Sequence, residues 1–511
     1  MTPEQPSPAT DEKISTDTTA NAVPASSIRR LFKNASIYAI GHTLLSILSF
    51  VTDPILSHLL TVADFGLISL TRAFTNFSSN FYRVGLDGAA NRIYYATEHD
   101  ETARRRALGT INTFLLGWTL LLTIIQEIFG PSIYRRLFGD ISYYPYGRFV
   151  TYTLLCTTLI SVAQSVWVAQ ERAKLLAGIR FLTALFSSVI TFGLLFTTNL
   201  GVISVFAAQI ASSTIMLVGH WRHTYRSLGL AWDPQVMRKA LAFGLPMVVH
   251  QTSHWALDLA DRLLLEKLAN RNAVGVYAVA YGTTSSLFMI NSSINSAYVP
   301  QFVRSFGKPE QRDFIARAIT YALLITTVAT LGFVIFAPTM IRGLYASKFA
   351  DAATLTPILA LAGPLQAIYL IQVAVLFQAE RTRIIPVLTL LSGLANIGLN
   401  IWWIPKYGIL GAAGATVIGY GALAALFSFG ARRVVALPFE KRLGRLFVTF
   451  VVISVLAVGI DGRLSIGLEI LAKMLIALAA PILLLATGFL TAEERTLVRE
   501  KLQSTLAWFR R

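Results

Sequence analysis

Ionisable side chains set inside apolar runs are the residues of this chain best placed to do chemistry. From Phe243 to Gly282 it reads FGLPMVVHQTSHWALDLADRLLLEKLANRNAVGVYAVAYG, a mostly apolar stretch that carries His250, His254, Asp258, Asp261 and Arg262. At about 100° per residue on a helix, His250, His254, Asp258 and Asp261 fall within roughly one quadrant of the surface. A second stripe, His42, Ser46, Ser49 and Asp53, follows i, i+4, i+7, i+11 spacing, and Pro54 directly after it removes a backbone donor and loosens the helix there. A third, Arg72, Asn76, Ser79 and Arg83, repeats that spacing.

Charges that faced hydrocarbon would cost several kcal/mol each, so such stripes belong against a bundle interior or a water-filled cavity. Arg72 stands about 16 Å along the helix from Arg83, well inside any membrane that the helix crosses. An arginine offers a planar donor fork suited to a phosphate or diphosphate. With His250 and His254 beside it, the set suits an anionic cargo. Asp53, Asp258 and Asp261 have the chemistry to bind a coupling proton or sodium ion, and histidine titrates near neutral pH. For Asp261 and Arg262 a plainer reading stays open, that they mark the interfacial end of their helix. The serines commonly satisfy themselves on the preceding turn or bind neighbouring helices.

Other chemistries lack their residues. His250, His254 and Asp258 have helical metal-ligand spacing, but without a fourth ligand or a general-base Glu no metal site is expected, and no cofactor. Cys156 is the single cysteine, which excludes a disulfide framework and a cysteine metal site. There is no GxxxxGK[ST] loop, so ATP hydrolysis by this chain is not expected. No polar stretch is long enough for a soluble catalytic domain, so an ion gradient is the natural energy supply for a transporter rather than an enzyme.

The elements that must position these residues are membrane helices. The 511 residues are 54% hydrophobic and only 14% charged, with a mean hydropathy of +0.58, a balance foreign to soluble domains. Apolar segments long enough to cross about 30 Å of hydrocarbon centre near Ile47, Phe74, Thr119, Ile160, Val189, Ile210, Val249, Leu287, Ala329, Leu365, Gly393, Gly419, Ser454 and Leu478. The expected fold is therefore an all-α polytopic membrane protein of about fourteen helices. The net charge of +17 is explained by basic loops and not by nucleic acid: 31 Lys and Arg fall on the side of the termini against 10 on the other, so both termini are expected in the cytoplasm.

The chain also repeats. A shift of 208 residues places His42 on His250, Asp53 on Asp261 and Leu60 on Leu268, and one residue more places Gly66 on Gly275. Glu171, Arg172 and Lys174 fall on Glu380, Arg381 and Arg383, and Gly201 falls on Gly408. Arg72 has Tyr281 as its counterpart, so that cation belongs to one half only. The expected divisions are a disordered cytoplasmic tail over 1–28, six-helix bundles over 29–230 and 231–436, two added helices over 437–490 and a cytoplasmic tail over 491–511. Six helices per repeat make the halves parallel, related by an axis along the membrane normal, with the substrate path between them.

Two pairs of segments carry a resemblance: FGLPMVVHQTSHWALDLADRLLLEKL with VGVYAVAYG, and SHLLTVADFGLISLTRAF with VGLDGAANRIYYA. Together, over about residues 33–435, the chain resembles the Wzx or O-antigen type of polysaccharide biosynthesis flippase. These belong to the multidrug/oligosaccharidyl-lipid/polysaccharide exporter superfamily. The resemblance implies a V-shaped bundle with a cationic cavity, in the inner membrane of a bacterium. It implies a polyprenyl-diphosphate-linked oligosaccharide as cargo, with glycosyltransferases and a polysaccharide polymerase as partners. It points to Arg72 and Arg83, and then Arg262, as substrate residues. Two other classes remain. A drug/cation antiporter of the multidrug and toxin extrusion (MATE) group shares the fold but usually presents an acidic cavity, which Arg72 and Arg83 oppose. A non-transporting scaffold for glycan synthesis would leave the intramembrane charges unexplained.

Overall fold

The computed structural model describes residues 25–496 apart from 98, 139, 140, 259, 307, 309–311, 382, 436 and 493; the side chains of His42, His250, His254 and Asp258 lie outside the described ones. The chain is helical almost throughout. In the first half the helices are α1 (Ala25–Leu59), α2 (Val62–Arg83), α3 (Leu86–Ala96), α4 (Glu101–Phe138), α5 (Arg148–Leu159), α6 (Ser161–Ala169), α7 (Ala173–Thr197) and α8 (Ile203–Leu228). The second half has α9 (Pro234–Asp258), α10 (Ala260–Leu268), α11 (Arg271–Ser305), α12 (Arg312–Leu344), α13 (Asp351–Ala360), α14 (Ala362–Gln378) and α15 (Ile384–Arg432). Then come α16 (Leu443–Ile460) and α17 (Ile466–Ala486).

These make fourteen crossings. Among the described residues ten helical stretches are long and apolar enough to span a membrane, and one of them, α15, crosses twice. Its 49 residues turn back at Gly408, where φ is +56° and ψ −131°, a backbone that only glycine adopts readily. The remaining crossings are α1, whose apolar part Thr43–Leu59 is shorter, α2, which carries a polar stripe, and α9 with α10. Thirteen of the fourteen expected centres lie in helices and the other, Ile160, sits at the turn joining α5 to α6, and large apolar side chains such as Val218, Phe196 and Leu478 stand exposed on the outside of the bundle, as lipid-facing positions should.

The duplication is visible in the backbone. Glu171 and Glu380 both take a left-handed φ, of +54° and +56°. Each closes its helix with the same pair of bonds: Arg172 N to Trp167 O and Glu171 N to Val168 O, against Arg381 N to Leu376 O and Glu380 N to Phe377 O. That is the Schellman ending, built twice around a glutamate where glycine is usual. Gly201 and Gly408 share a positive φ as well. Thr61 and Asn270 each cap the following helix with a side-chain oxygen, accepting from Asp64 N and Ala273 N.

We call the end of the bundle where α1 begins inner, and the end at the Leu60 turn outer. An outer core joins the halves, with Phe65, Leu70, Tyr134 and Phe138 packed with Val274, Tyr277, Phe349 and Leu355. An inner core packs the start of α9, through Met237 and Ala240, against Val84, Leu86, Leu108 and Trp167 of the first half.

Candidate functional site

The outer contact between halves depends on two glycines. A Cβ on Gly66 of α2 would stand 2.3 Å from the Arg271 carbonyl oxygen at the start of α11, and one on Gly275 of α11 would stand 2.0 Å from the Val62 carbonyl oxygen at the start of α2. Both are impossible contacts for any side chain. Below this seam α2 turns one face to α5 and α8, and there Arg72 lines a cleft with Thr71, Thr75, Thr153 and Gln209 among Ile68, Phe149, Val150, Val205 and Phe206. The Thr71 hydroxyl already donates to the Leu67 and Ile68 carbonyls and Thr75 to Thr71 O, so their oxygens keep lone pairs rather than protons to offer. Arg72 is exposed, and among the described residues nothing accepts a hydrogen bond from it. Its charge acts on the half-buried Asp53 carboxylate of α1, which in turn acts on the Tyr345 hydroxyl beyond α12.

The second half carries the same two charges in a sealed form. Asp261, the repeat counterpart of Asp53, is wholly buried and pairs with Arg262 Nη1 at 3.1 Å. Its other oxygen accepts from the Tyr277 hydroxyl and from Thr416 Oγ1 at 3.4 Å. Arg262 stacks 4.3 Å above the ring of Tyr281, the counterpart of Arg72, and reaches into the first half by donating from Nε to Ser69 Oγ at 3.0 Å. The cation comes from helix α2 in the first half and from the residue after the aspartate in the second, and of these two sets only Asp261 and Arg262 form an ion pair.

The remaining expected residues are distributed as follows. Arg83 lies near the inner end of α2, half-buried, where it pairs with Asp87 at 3.5 Å; it is on the same helix as Arg72 but outside that cleft. His250, His254 and Asp258 lie on α9 and Asp261 near the start of α10, with residue 259 between them outside the described residues. Among the described residues no group of three His, Cys, Asp or Glu side chains could hold a metal ion. Sequence reasoning missed Ser69, Tyr277 and Thr416. Tyr277 and Tyr281 sit i, i+4 on α11 and were the available signal.

A model of the polysaccharide biosynthesis protein family matches residues 55–354. Lsg locus putative protein 1 of Haemophilus influenzae is 20% identical over 408 residues, covering 76% of this chain and 97% of that protein. A probable low-salt glycan biosynthesis flippase, Agl15 of Haloferax volcanii, is 24% identical over 196 residues, 38% of this chain and 42% of its own length. Among solved structures, the lipid II flippase MurJ in an inward closed conformation superposes with a TM-score of 0.69 at 15% identity, covering 87% of this chain and 97% of that one. The MATE multidrug transporter DinF-BH gives 0.60 at 17% identity over 82% and 98%. Those structures share the fold. With the match covering more than half of its length, the chain belongs to the polysaccharide biosynthesis protein family.

Proposed function

We propose that the protein is a flippase that turns a polyprenyl-diphosphate-linked oligosaccharide from the cytoplasmic to the outer leaflet of a bacterial inner membrane, for cell-surface or exported polysaccharide. The inner end of the bundle is then cytoplasmic, with both termini there. The observation that carries this reading is Arg72: a guanidinium in mid-membrane, in a cleft of hydroxyl and amide oxygens, with no acceptor of its own among the described residues. A cation left so is expensive in a membrane unless an anion visits it. A diphosphate is an anion of the right form, since the planar fork donates to two oxygens at once. The relative from Haloferax volcanii, named as a probable low-salt glycan biosynthesis flippase, supports a glycan as the cargo class.

Asp53 is the coupling carboxylate in this reading. It shares the field of Arg72, so a proton or sodium ion at Asp53 leaves the guanidinium to the diphosphate, and loss of that ion returns it to the carboxylate. Asp261 and Arg262, already saturated by each other, Tyr277, Thr416 and Ser69, hold the closed outer end instead of the cargo. Arg83 is then a secondary position toward the inner end of α2, and His250, His254 and Asp258 are further candidates on α9, the histidines for cargo and the carboxylate for the coupling ion.

The test is Arg72→Gln in a strain that depends on this protein for its surface glycan. Export should fall to the level of the deletion, with lipid-linked oligosaccharide trapped on the cytoplasmic side and protein level unchanged. Wild-type glycan from that variant would end the assignment. A deletion strain with normal glycan but new drug sensitivity would favour the antiporter.

A further inference from the structure

Helices α16 and α17 stand outside the duplicated halves and pack on α12 through Leu331, Ile335, Phe450, Ile453, Ala457 and Ala480. In lipid such apolar contacts fix little, because hydrocarbon tails are as apolar as the side chains and the helices are free to slide or rotate. What fixes them is charge. At the outer end Arg342 of α12 grips both oxygens of Asp461, at 3.2 and 2.8 Å, and reaches Glu469 at 2.5 Å. Lys473 Nζ lies 2.9 Å from the same Glu469, donates to Thr339 Oγ1 at 2.8 Å, and pairs with Asp461. The backbone N–H of Gly462 takes the second Glu469 oxygen at 3.1 Å. The four charges sum to zero, and Lys473 and Glu469 are 0% and 1% exposed.

Such a cluster adds little to stability over a well-packed apolar substitute, but it specifies position, since any slip strands a charge in hydrocarbon. Its place in the chain is informative. Two residues beyond Arg342 the polypeptide leaves α12 and takes hold of the outer end of α1 in the other half. His58 Nε2 donates to Leu344 O at 3.2 Å, Ala346 N donates to Ser57 Oγ at 3.0 Å, and Lys348 Nζ donates to Leu60 O at 2.6 Å. The charge cluster is thus the footing of a contact between halves.

We infer that α16 and α17 are a brace for the outer closure: their charge cluster fixes the end of α12, and through residues 344–348 sets how firmly the outer end of the bundle stays shut. This rests on the alternating-access reading above. It gives the two added helices a role in gating without any contact with cargo.

The experiment uses the full chain in cells, with Cys156→Ser and a reporter, Thr75→Cys, in the cleft beside Arg72, labelled from outside with a membrane-impermeant maleimide. Thr339→Val removes the hydroxyl shared by Lys473 and Glu469 and leaves all four charges. Arg342→Met, Asp461→Asn, Glu469→Gln and Lys473→Met together remove the cluster without stranding a charge. Both should raise the labelling rate several-fold, as should a direct cut of the contact by Ser57→Ala with Lys348→Met. If the direct cut speeds labelling and the cluster variants label at the wild-type rate, the brace is overturned; should the fourfold variant fail to accumulate, Thr339→Val decides alone. Because labelling does not require export, failure of the flippase reading shows separately, as Arg72→Gln with normal glycan.

Discussion

Gly66 and Gly275 occupy equivalent places in the two repeats and meet each other's repeats reciprocally: the first lies against Arg271, the second against Val62, and Val62 and Arg271 are themselves one repeat apart. This is the signature of a two-fold interface, in which one patch is used twice. Here both patches belong to one chain. The seam that shuts the outer end is therefore built from a single duplicated contact, and weakening it on one side should leave the other to act alone.

Gly66→Ala and Gly275→Ala should each force the helix starts apart, because the colliding atoms are backbone carbonyls that cannot swing away. Overpacking of this kind costs about 1–3 kcal/mol. Thermal unfolding in detergent should show a lower Tm for each single variant. The double variant should lose less than the sum, since the first methyl already separates the seam. Strict additivity would mean that the two contacts are independent.

Arg262→Gln should be destabilising where Arg72→Gln is not. Asp261 is wholly buried, and removing its cation strands the carboxylate, which costs about 3–5 kcal/mol for a buried pair. Asp261→Asn combined with Arg262→Gln removes both charges and should recover much of the loss. The two arginines look alike in the chain, so detergent stability against export separates them cleanly: Arg262 variants should lower both, Arg72 variants export alone.

Much of this was legible in the sequence because membrane helices and repeats are written in long periods. The apolar spans, their number and the offset near 208 survive any local detail, and Glu171 with Glu380 shows that even a helix ending was duplicated. The functional assignments were harder. Asp53 and Asp261 match in sequence, yet of the two only Asp261 forms an ion pair, and that pair is held by Ser69, Tyr277 and Thr416 arriving from other helices. No spacing within one helix carries that. The charge cluster under α16 and α17 was half visible, in Glu469 and Lys473 at i, i+4 inside an apolar helix, but its partners Thr339 and Arg342 lie more than a hundred residues away.

The inner footing of α16 and α17 gives a pH prediction. Burial pushes Glu494 up, but hydrogen bonds from Arg442 and Tyr321, with Thr491 N and the Arg442 charge, outweigh it and hold the carboxyl at about 2, below its ordinary 4.5. A depressed carboxylate contributes stability that is complete above 4.5 and is lost as pH falls toward 2. The Tm difference between wild type and Glu494→Gln should be constant from pH 6 upward and shrink steadily below 4.5. A difference that instead grew on acidification would mean that Glu494 is held protonated.

Arg72→Lys tests whether form or charge matters in the cleft. Lysine keeps the positive charge but replaces the fork with a single strongly hydrated ammonium. If Arg72 serves as a mere counter-charge for Asp53, lysine restores full export. If it holds a diphosphate through two donors at once, lysine should recover only part, with export falling by roughly the tenfold that corresponds to losing about 1.4 kcal/mol of a charge-assisted hydrogen bond. Asp53→Asn supplies the other half of the argument. Without the carboxylate, Arg72 has no competitor for the anion, so purified protein should bind polyprenyl diphosphate at least as tightly as wild type while export, which needs release, declines. Tight binding with lost export, beside weak binding with lost export in Arg72→Gln, would separate the residue that holds the cargo from the residue that lets it go.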